Sequence, residues 1–266
     1  AIYFSFLFFS FSTKTRPKFS QFSRFLTGIE ISCFVLTDGE AHLTFPTAKD
    51  YKRIGEGDKG LNTGGMGAYS PAPVVDEEIY TKIMDQVIYP TVRGMAAEGN
   101  HYIGFLYAGL MIAADGTPKV IEFNCRFGDP ETQPILLRLK SDLVAHCLSA
   151  LSGNLDQETA SWDPRSAVGV VLAAGGYPGR YQGGDVITGL SAAVEDEHQK
   201  VFHAGTKSLG GQVVTAGGRV LCATAMGDSV SEAQAQAYRL ASKIDWEDMY
   251  LRDDIGWRAV AREQVG

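Results

Sequence analysis

The chain has few cysteines and none of them in a paired motif. Its 266 residues include four cysteines, which lie far apart, and no CxxC pair occurs. The ligand spacing of a zinc site is therefore absent from the sequence. A disulfide framework is not expected in a chain of this length, and free thiols in a reducing compartment are predicted. No apolar run approaches the ~20 residues that cross a bilayer, so the sequence predicts no membrane partner.

Acidic residues are missing from the start of the chain. Residues 1–27 carry four basic side chains and no acidic one, although the whole chain has a net charge of −7. This negative charge argues against a nucleic-acid or anionic-membrane binder. The first 26 residues also contain eight phenylalanines and five serines. We interpret residues 1–27 as a disordered or artefactual extension, with an organelle-targeting segment as the alternative. Without such a targeting segment, a cytoplasmic location is expected.

Two tight-turn signals predict antiparallel hairpins. Asp38-Gly39 interrupts a stretch in which apolar and polar residues roughly alternate, and Asp115-Gly116 separates two apolar runs. An Asp-Gly dipeptide between such runs is typical of a β-hairpin.

The segments around these hairpins are predicted to be one long loop and several helices. Residues 50–73 are rich in glycine and are expected to form a loop. Residues 77–98 have apolar residues at helical spacing after Asp76, a candidate N-cap. Asp129-Pro130-Glu131 fits an N-cap, a proline at the first helical position and an acid in the first turn, so a helix or helix pair is expected to about Leu151.

The polar residues 153–165 predict a boundary between two units, residues 28–157 and 158–266. The second unit is expected to contain a buried strand, three short strands and one amphipathic helix: 166–174, then 201–205, 212–215 and 218–226, then 230–244. An antiparallel sheet with helices gives the fold class α+β.

The glycine-rich loop contains a motif that resembles a dinucleotide fingerprint but lacks its context. Gly55 to Gly60 fits GxGxxG, yet a helix cannot follow in the sequence LNTGGMGAYSPAP, so we reject a nicotinamide site. The same loop offers closely spaced backbone N–H groups that suit a phosphate, and two basic residues upstream add positive charge. The candidate cofactor-binding residues are Lys52, Arg53, Asn62, Gly64, Gly65 and Gly67. A solvent-exposed loop with two surface bases is the alternative.

A second candidate site follows the second hairpin. Glu122, Asn124 and Arg126 alternate, so on an extended strand their side chains lie on one face. A carboxylate and an amide oxygen are hard ligands that suit Mg²⁺, and an arginine beside them suits a phosphoryl oxygen. On an exposed strand the same residues could also be ordinary surface residues.

Seven segments in the same order resemble the phosphoribosylamine–glycine ligase family, whose members have an ATP-grasp fold. They are GLNTGGMGAYSPAP (60–73), FLYAGLMI (105–112), RFGDPETQPI (126–135), GVVLAAGGYPG (169–179), VFHAGTK (201–207), GGRVL (217–221) and DIGWRA (254–259). The resemblance as a whole runs from about Phe25 to Gln264. The resemblance implies the C-terminal half of an ATP-grasp domain followed by a small mixed β/α domain, with residues 1–27 outside the family pattern.

The resemblance also implies an activity. Family members use ATP to phosphorylate the carboxylate of glycine, and the amine of 5-phosphoribosylamine attacks the glycyl phosphate to give glycinamide ribonucleotide, ADP and phosphate. Glu122 and Asn124 then correspond to the ligands of Mg²⁺ or Mn²⁺, and Arg126 to a group that stabilises the transferred phosphoryl group. Asp129 and Glu131 are further catalytic candidates, which position substrate or metal-bound water or simply cap a helix. The implied partners are small molecules, and the oligomeric state stays open.

The sequence departs from the family pattern at its start. Full-length members begin with a separate phosphoribosylamine-binding domain and the first half of the ATP-grasp fold, and the family segment EEFL appears here as Ser23-Arg24-Phe25-Leu26. We therefore expect a fragment with little or no ligase activity alone. The alternatives are another ATP-grasp carboxylate–amine ligase and a non-catalytic module that completes a split enzyme.

Overall fold

The structure is a computed structural model that describes residues 2–10 and 18–264, with side chains from Phe25 to Gln264. Its strands are β1 (Ile2–Ser10), β2 (Lys18–Leu26), β3 (Ile29–Thr37), β4 (His42–Asp50), β5 (Arg53–Gly55), β6 (Lys59–Asn62), β7 (Gly67–Ser70), β8 (Gly104–Ile112), β9 (Pro118–Asn124), β10 (Ser166–Ala173), β11 (Gln199–His203), β12 (Thr206–Leu209), β13 (Gln212–Thr215) and β14 (Arg219–Gly227). Its α-helices are α1 (Glu77–Ile83), α2 (Tyr89–Ala97), α3 (Thr132–Leu137), α4 (Leu143–Ser152), α5 (Val230–Ala241) and α6 (Trp257–Glu263).

The main sheet has eight strands, in the order β11-β14-β10-β7-β4-β3-β8-β9. Every neighbouring pair in it is antiparallel. Both predicted Asp-Gly hairpins are confirmed, as β3–β4 and β8–β9. The carboxylate of Asp38 accepts from the backbone N–H groups of Glu40 and Ala41 at 3.0 and 2.7 Å. This is the local turn chemistry that favours aspartate there.

One face of the sheet is covered by the predicted helix of residues 77–98. It forms as α1, a π-helical turn over Met84–Ile88, and α2. The Asp76 carboxylate accepts from the N–H of Ile79 at 2.8 Å, which confirms the predicted N-cap. Because strand residues alternate between faces, the odd-numbered residues of β3 and the even-numbered residues of β8 meet the helices. They form a buried core with Ile83, Val87 and Ile88.

The opposite face is covered at one end only. There Phe34, Phe45 and Tyr107 form a buried cluster with residues of α3 and α4, including Ile135 and Ala150. The predicted helix pair up to Leu151 is thereby confirmed. The other end of this face, which includes Glu30 and Glu122, borders a cavity instead.

The prediction of a long loop over residues 50–73 was wrong. The segment contains a small hairpin, β5–β6, and β7, which lies between β4 and β10 in the centre of the main sheet. Strand β7 has four residues, and apolar and polar residues do not alternate along it. It is held by pairing with a strand on each side, with Ala68 opposite Asp50 of β4 and Gly169 of β10. The element is therefore specified by partners distant in sequence.

The second unit has the predicted buried strand β10, followed by four strands rather than three, of which β14 is nine residues long. Helix α5 ends at Ala241, three residues earlier than expected, and α6 was not predicted. The α+β fold class is confirmed. Pairing of β7 with β10 carries the sheet across the predicted boundary, and the division into residues 28–157 and 158–266 stays a prediction.

Strands β1 and β2 form a separate two-stranded ribbon. Residues 1 and 11–17 lie outside the described residues. The interpretation of residues 1–27 as an extension stays a prediction. Within the described part of the chain, none of the helices reaches the length and hydropathy that crossing a bilayer demands.

Candidate active site

A cavity of about 700 Å³ lies on the uncovered end of the sheet face. Its walls come from four parts of the chain: the strands β3, β4, β8 and β9, the β5–β6 hairpin with the following loop, the segment before α3, and Arg258 of α6. Eight of the eleven residues predicted from the sequence line it, namely Lys52, Arg53, Asn62, Gly64, Glu122, Arg126, Asp129 and Glu131. Asn124, Gly65 and Gly67 are not among the residues that line it.

Glu122 and Asn124 lie near the end of β9, an edge strand. A register irregularity between Gly109 and Leu110 of β8 brings both Ile121 and Glu122 to the cavity. Asn124 is opposite Tyr107, which lines the cavity, so it shares that face of the sheet. Among the described residues, no group of three His, Cys, Asp or Glu side chains is arranged to hold a metal. The metal-ligand role of the two residues stays a prediction.

Arg126 follows the strand and keeps most of its hydrogen-bonding capacity. Its side chain is exposed, and its Nη1 donates to the carbonyl of Phe127 at 2.9 Å. A guanidinium has five N–H donors, so the remaining ones face the cavity and solvent.

Lys52 is held by three carboxylates. Its Nζ lies 2.7 Å from Glu30, 3.7 Å from Glu122 and 4.0 Å from Asp50. Burial alone would lower the pKa of Lys52, but the charges of Asp50 and Glu30 raise it above its ordinary value. The ammonium group is therefore a fixed positive charge in the cavity rather than a proton donor or acceptor.

Two carboxylates are buried beneath this network. Asp50 and Glu131 are 2% and 3% exposed. Glu131 accepts a 2.8 Å hydrogen bond from Ser32, whose Oγ is 3.2 Å from the hydroxyl of Tyr107. Burial, with the nearby charge of Asp50, raises the pKa of Glu131 to about 7. Burial also raises the pKa of Asp50.

The sequence did not indicate Glu30, Ser32, Lys49, Asp50 or Tyr107 as site residues. Glu30 and Ser32 alternate with apolar residues of a predicted strand. The polar face that results is the feature of the sequence from which these two site residues could have been predicted. Asp50 and Lys49 lie two and three residues before the predicted Lys52.

The predicted helix start at Asp129 was wrong. Helix α3 begins at Thr132, and the side chain of Glu131 makes no cap hydrogen bond. The Asp129 carboxylate instead pairs with Arg219 of β14 at 2.9 Å. Nη1 of Arg219 also donates to the carbonyl of Gly64 at 2.8 Å. Through Arg219, Asp129 and the glycine-rich loop are both connected to the second unit. Asp129 and Arg219 are 90 residues apart, so the local sequence around Asp129 cannot indicate this pairing.

Backbone N–H groups of the glycine-rich loop already have protein acceptors. Those of Thr63, Gly64, Gly65 and Met66 donate to Lys52 O, Tyr177 Oη, Thr63 Oγ1 and Tyr51 O at 2.7 to 3.0 Å. Gly65 has φ +112° and a Cβ there would lie 2.3 Å from Pro130. A Cβ on Gly67 would lie 2.6 Å from the Gly169 carbonyl. Both glycines permit close packing, and cofactor binding by this loop stays a prediction.

The β5–β6 hairpin is anchored by the buried Arg252. Its guanidinium pairs with Asp254 at 2.7 Å and Asp58 at 3.2 Å, and it donates to the Arg53 carbonyl at 2.9 Å. Arg258 also contacts Asp58, at 2.7 Å. Arg252, with Asp254 and Arg258 of the DIGWRA segment, therefore fixes the hairpin that carries Arg53 and Asn62 at the cavity.

Comparison with known proteins decides the family. Residues 22–132 match the family model described as phosphoribosylglycinamide synthetase, ATP-grasp (A) domain, and residues 167–258 match the C domain of the same synthetase. The chain belongs to the phosphoribosylamine–glycine ligase family. A relative of that name from Vibrio vulnificus is 65% identical over 240 residues, which cover 90% of this chain and 56% of the relative. The chain therefore spans about half the length of the curated relatives it matches.

Solved structures agree with this assignment. The crystal structure of phosphoribosylamine–glycine ligase from Thermotoga maritima matches with a TM-score of 0.79 and 37% identity, covering 88% of this chain and 57% of that one. An L-amino acid ligase from Bacillus licheniformis shares the fold alone, with a TM-score of 0.55 and 19% identity over 84% of this chain and 55% of that one.

Proposed function

We propose that the chain provides one wall and the floor of a phosphoribosylamine–glycine ligase site. The reaction is ATP-dependent ligation of glycine to 5-phosphoribosylamine, through a glycyl phosphate, giving glycinamide ribonucleotide, ADP and phosphate. The observation that supports it is the convergence of Lys52, Asn62, Glu122 and Arg126 on one cavity in a chain 65% identical to a relative of that name. Small molecules are its partners, and a cytoplasmic location stays a prediction.

Glu122 and Asn124 have the chemistry of a magnesium or manganese site. They offer one carboxylate and one amide oxygen, hard donors that leave room for water and phosphate oxygens. A bound Mg²⁺ or Mn²⁺ would supply charge neutralisation for the transferred phosphoryl group. The ammonium group of Lys52 lies 3.7 Å from the Glu122 carboxylate and helps to orient this metal ligand.

The other predicted residues divide into those that contact substrate and those that position the site. Arg126 has free N–H donors on the cavity and binds phosphoryl oxygens by charge-assisted hydrogen bonds. Lys52 adds a permanent positive charge. Asp129 is a positioning residue, because its carboxylate pairs with Arg219 and thereby holds the loop at Gly64.

Reconstitution tests the proposal. ADP release is measured for three samples: the 266-residue chain, the part of the Vibrio vulnificus relative that precedes its matched region, and both together. We expect the mixture to form ADP only when glycine and 5-phosphoribosylamine are both present. Replacing 5-phosphoribosylamine by another amine should abolish turnover.

A folded complex of the two parts without glycine-dependent ADP formation would contradict the proposal. Turnover by the 266-residue chain alone would contradict the expectation that it is inactive by itself. Arg126→Ala should abolish turnover in the mixture, whereas Arg239→Ala, at an exposed position in the last turn of α5, is the matched control.

A further inference from the structure

Strand β5 separates the main cavity from another cavity, of about 470 Å³. Arg53 lines the main cavity, whereas the next residue, Ile54, lines this one, as expected because successive side chains of a strand point to opposite sides. The GGYPG turn (175–179) and Asp248, Met249 and Tyr250 contribute the rest of its lining. We call it the tyrosine cavity. Its volume is in the range of small-molecule sites, and none of the site residues predicted from the sequence lines it.

Two tyrosines of this cavity bond to the wall of the main cavity. The hydroxyl of Tyr177 accepts from the backbone N–H of Gly64, which lines the main cavity, at 2.9 Å. The hydroxyl of Tyr250 donates to the carbonyl of Ile54 at 2.8 Å. Burial, with the nearby charge of Glu56, raises the pKa of Tyr250, so its hydroxyl stays a donor. Each tyrosine thus lines one cavity and holds an element that borders the other.

Both tyrosines are anchored on the second unit. The backbone of Tyr250 exchanges two hydrogen bonds with Ala173, at the end of β10, at 2.7 and 2.9 Å. The N–H of Tyr177 donates to the carbonyl of Ala174 at 3.1 Å. A Cβ on Gly218 would lie 2.3 Å from the ring of Tyr177, so this ring packs directly on the backbone of Gly218. A ligand that contacts the two tyrosines therefore meets a preformed surface.

Asp248 brings an available negative charge to the tyrosine cavity. No described residue donates to its exposed carboxylate or forms an ion pair with it. Its backbone has a φ of +57°, in the left-handed region, which a non-glycine residue adopts only where the surrounding structure holds it. A Cβ on Gly175 would lie 2.5 Å from the Cβ of Asp248, so glycine is needed for this close approach. The fold therefore fixes an unpaired carboxylate at the cavity.

We propose that the tyrosine cavity binds a small organic cation, an amine or guanidinium with an apolar body, and that this cation restrains the wall of the main cavity. Among the described residues that line it, Asp248 carries the one charge, and the other side chains are aromatic or aliphatic. Aromatic rings attract cations, and a carboxylate pairs with an N–H donor. A metal ion of the magnesium type would need several oxygen ligands, where this cavity offers one carboxylate. The proposal goes beyond the ligase assignment, because this cavity lies outside the candidate active site.

The restraint follows from the two tyrosine hydroxyls. A cation packed on Tyr177 and Tyr250 reduces the motion of both side chains, and their hydrogen bonds pass this order to Gly64 and Ile54. The loop and the hairpin would then open less often, which slows exchange of their amide hydrogens. By linkage, a ligand that orders the same wall from the main cavity would favour binding of the cation.

The first test compares 2-phenylethylamine, a cation at neutral pH, with 2-phenylethanol, which has a hydroxyl in place of the ammonium group. Binding of each to the full chain is measured by nuclear magnetic resonance titration. We expect the amine to bind at least ~5-fold more tightly, the combined effect of an exposed ion pair and a cation–π contact. Asp248→Asn should remove this preference and keep the fold, because asparagine also adopts the left-handed conformation. Asp156→Asn, at an exposed position, is the control for net charge and should keep the preference.

The second test measures the coupling between the two cavities. Hydrogen exchange of residues 53–65 is followed by mass spectrometry with and without saturating 2-phenylethylamine. We expect the amine to slow exchange at least ~3-fold in the wild-type chain. Tyr177→Phe and Tyr250→Phe keep the rings and lack the hydroxyls. Both variants should bind the amine, but the first should lose the protection around Gly64 and the second that around Ile54.

Each outcome decides a part of the proposal. Equal binding of amine and alcohol by the wild-type chain, or no binding of the amine, would overturn the cation site whatever the stability of the variants. A preference that persists in Asp248→Asn would also overturn it. Amine binding without slower exchange in residues 53–65, or protection that both phenylalanine variants retain, would overturn the coupling through the tyrosines. Neither test uses turnover, so the ligase assignment and this site can fail independently.

Discussion

Ser32 and Glu131, 99 positions apart, are joined by a 2.8 Å hydrogen bond between buried side chains. Ser32 lies in β3, and Glu131 immediately precedes α3. The bond fixes the carboxylate of Glu131 at the cavity floor. Helix α3, which covers one end of the sheet face, thus also sets the position of Glu131 at the cavity on the uncovered end.

The raised pKa of Glu131 predicts a pH-dependent stability. Between its ordinary value of 4.5 and about 7, the folded chain holds a proton that the unfolded chain has lost. Stability therefore falls as pH rises through this window, by an amount on the order of 1–3 kcal/mol. Glu131→Gln should reduce that slope and be more stable than wild type at pH 8. Urea unfolding of both proteins at pH 5, 6, 7 and 8 measures this dependence. If stability changed with pH equally in wild type and variant, the pKa of Glu131 would not be raised.

Glu122→Gln should weaken metal binding with little effect on folding. Its side chain is 48% exposed, so its removal from the fold costs little. We expect Mn²⁺ affinity in the presence of ADP to fall at least ~10-fold, measured by electron paramagnetic resonance titration. Unchanged affinity would exclude Glu122 as a ligand, and Glu98→Gln is the control.

Gly65→Ala should destabilise the chain by about 1–3 kcal/mol. The residue has a positive φ of +112°, and a Cβ would meet Pro130 at 2.3 Å. Gly94 in α2 is the matched control, because no atom lies within 4 Å of its Cβ position. Gly94→Ala should raise stability by about 0.5–1 kcal/mol. Chemical denaturation of both variants tests the contrast, and equal effects would refute the close packing at Gly65.

Arg252→Lys should loosen the β5–β6 hairpin. Lysine keeps the charge but cannot form the forked contacts to Asp254 and Asp58, and loss of buried pairing costs on the order of 3 kcal/mol. We expect faster hydrogen exchange in residues 53–62, measured by mass spectrometry. The exposed Arg239→Lys is the control, and unaltered exchange in the hairpin would show that Arg252 does not anchor it.

Local signals in the sequence predicted the elements whose interactions are local. The Asp38-Gly39 turn and the Asp76 cap each depend on side chains hydrogen-bonding to backbone within three residues, and both are confirmed. Strand β7 depends on β4 and β10 instead, and nothing within Gly67–Ser70 indicates this pairing.

The candidate site shows the same division. Eight predicted residues line one cavity, because the family motifs and the alternation along β9 carry that information. Asp129 fits the local pattern of an N-cap, yet its partner is Arg219, 90 residues away. Asp50 was missed because a buried, unpaired oxygen is a property of the assembled fold.

Strand β7 joins the strands of the two predicted units into one continuous sheet. It is bonded to β4 on one side and to β10 on the other, so cutting between residues 157 and 166 and separating the products would leave β7 and β10 each with an open edge. Unpaired edges recruit other strands. The two family-model regions should therefore melt in one transition and aggregate when expressed apart, although their sequences match two separately named domains.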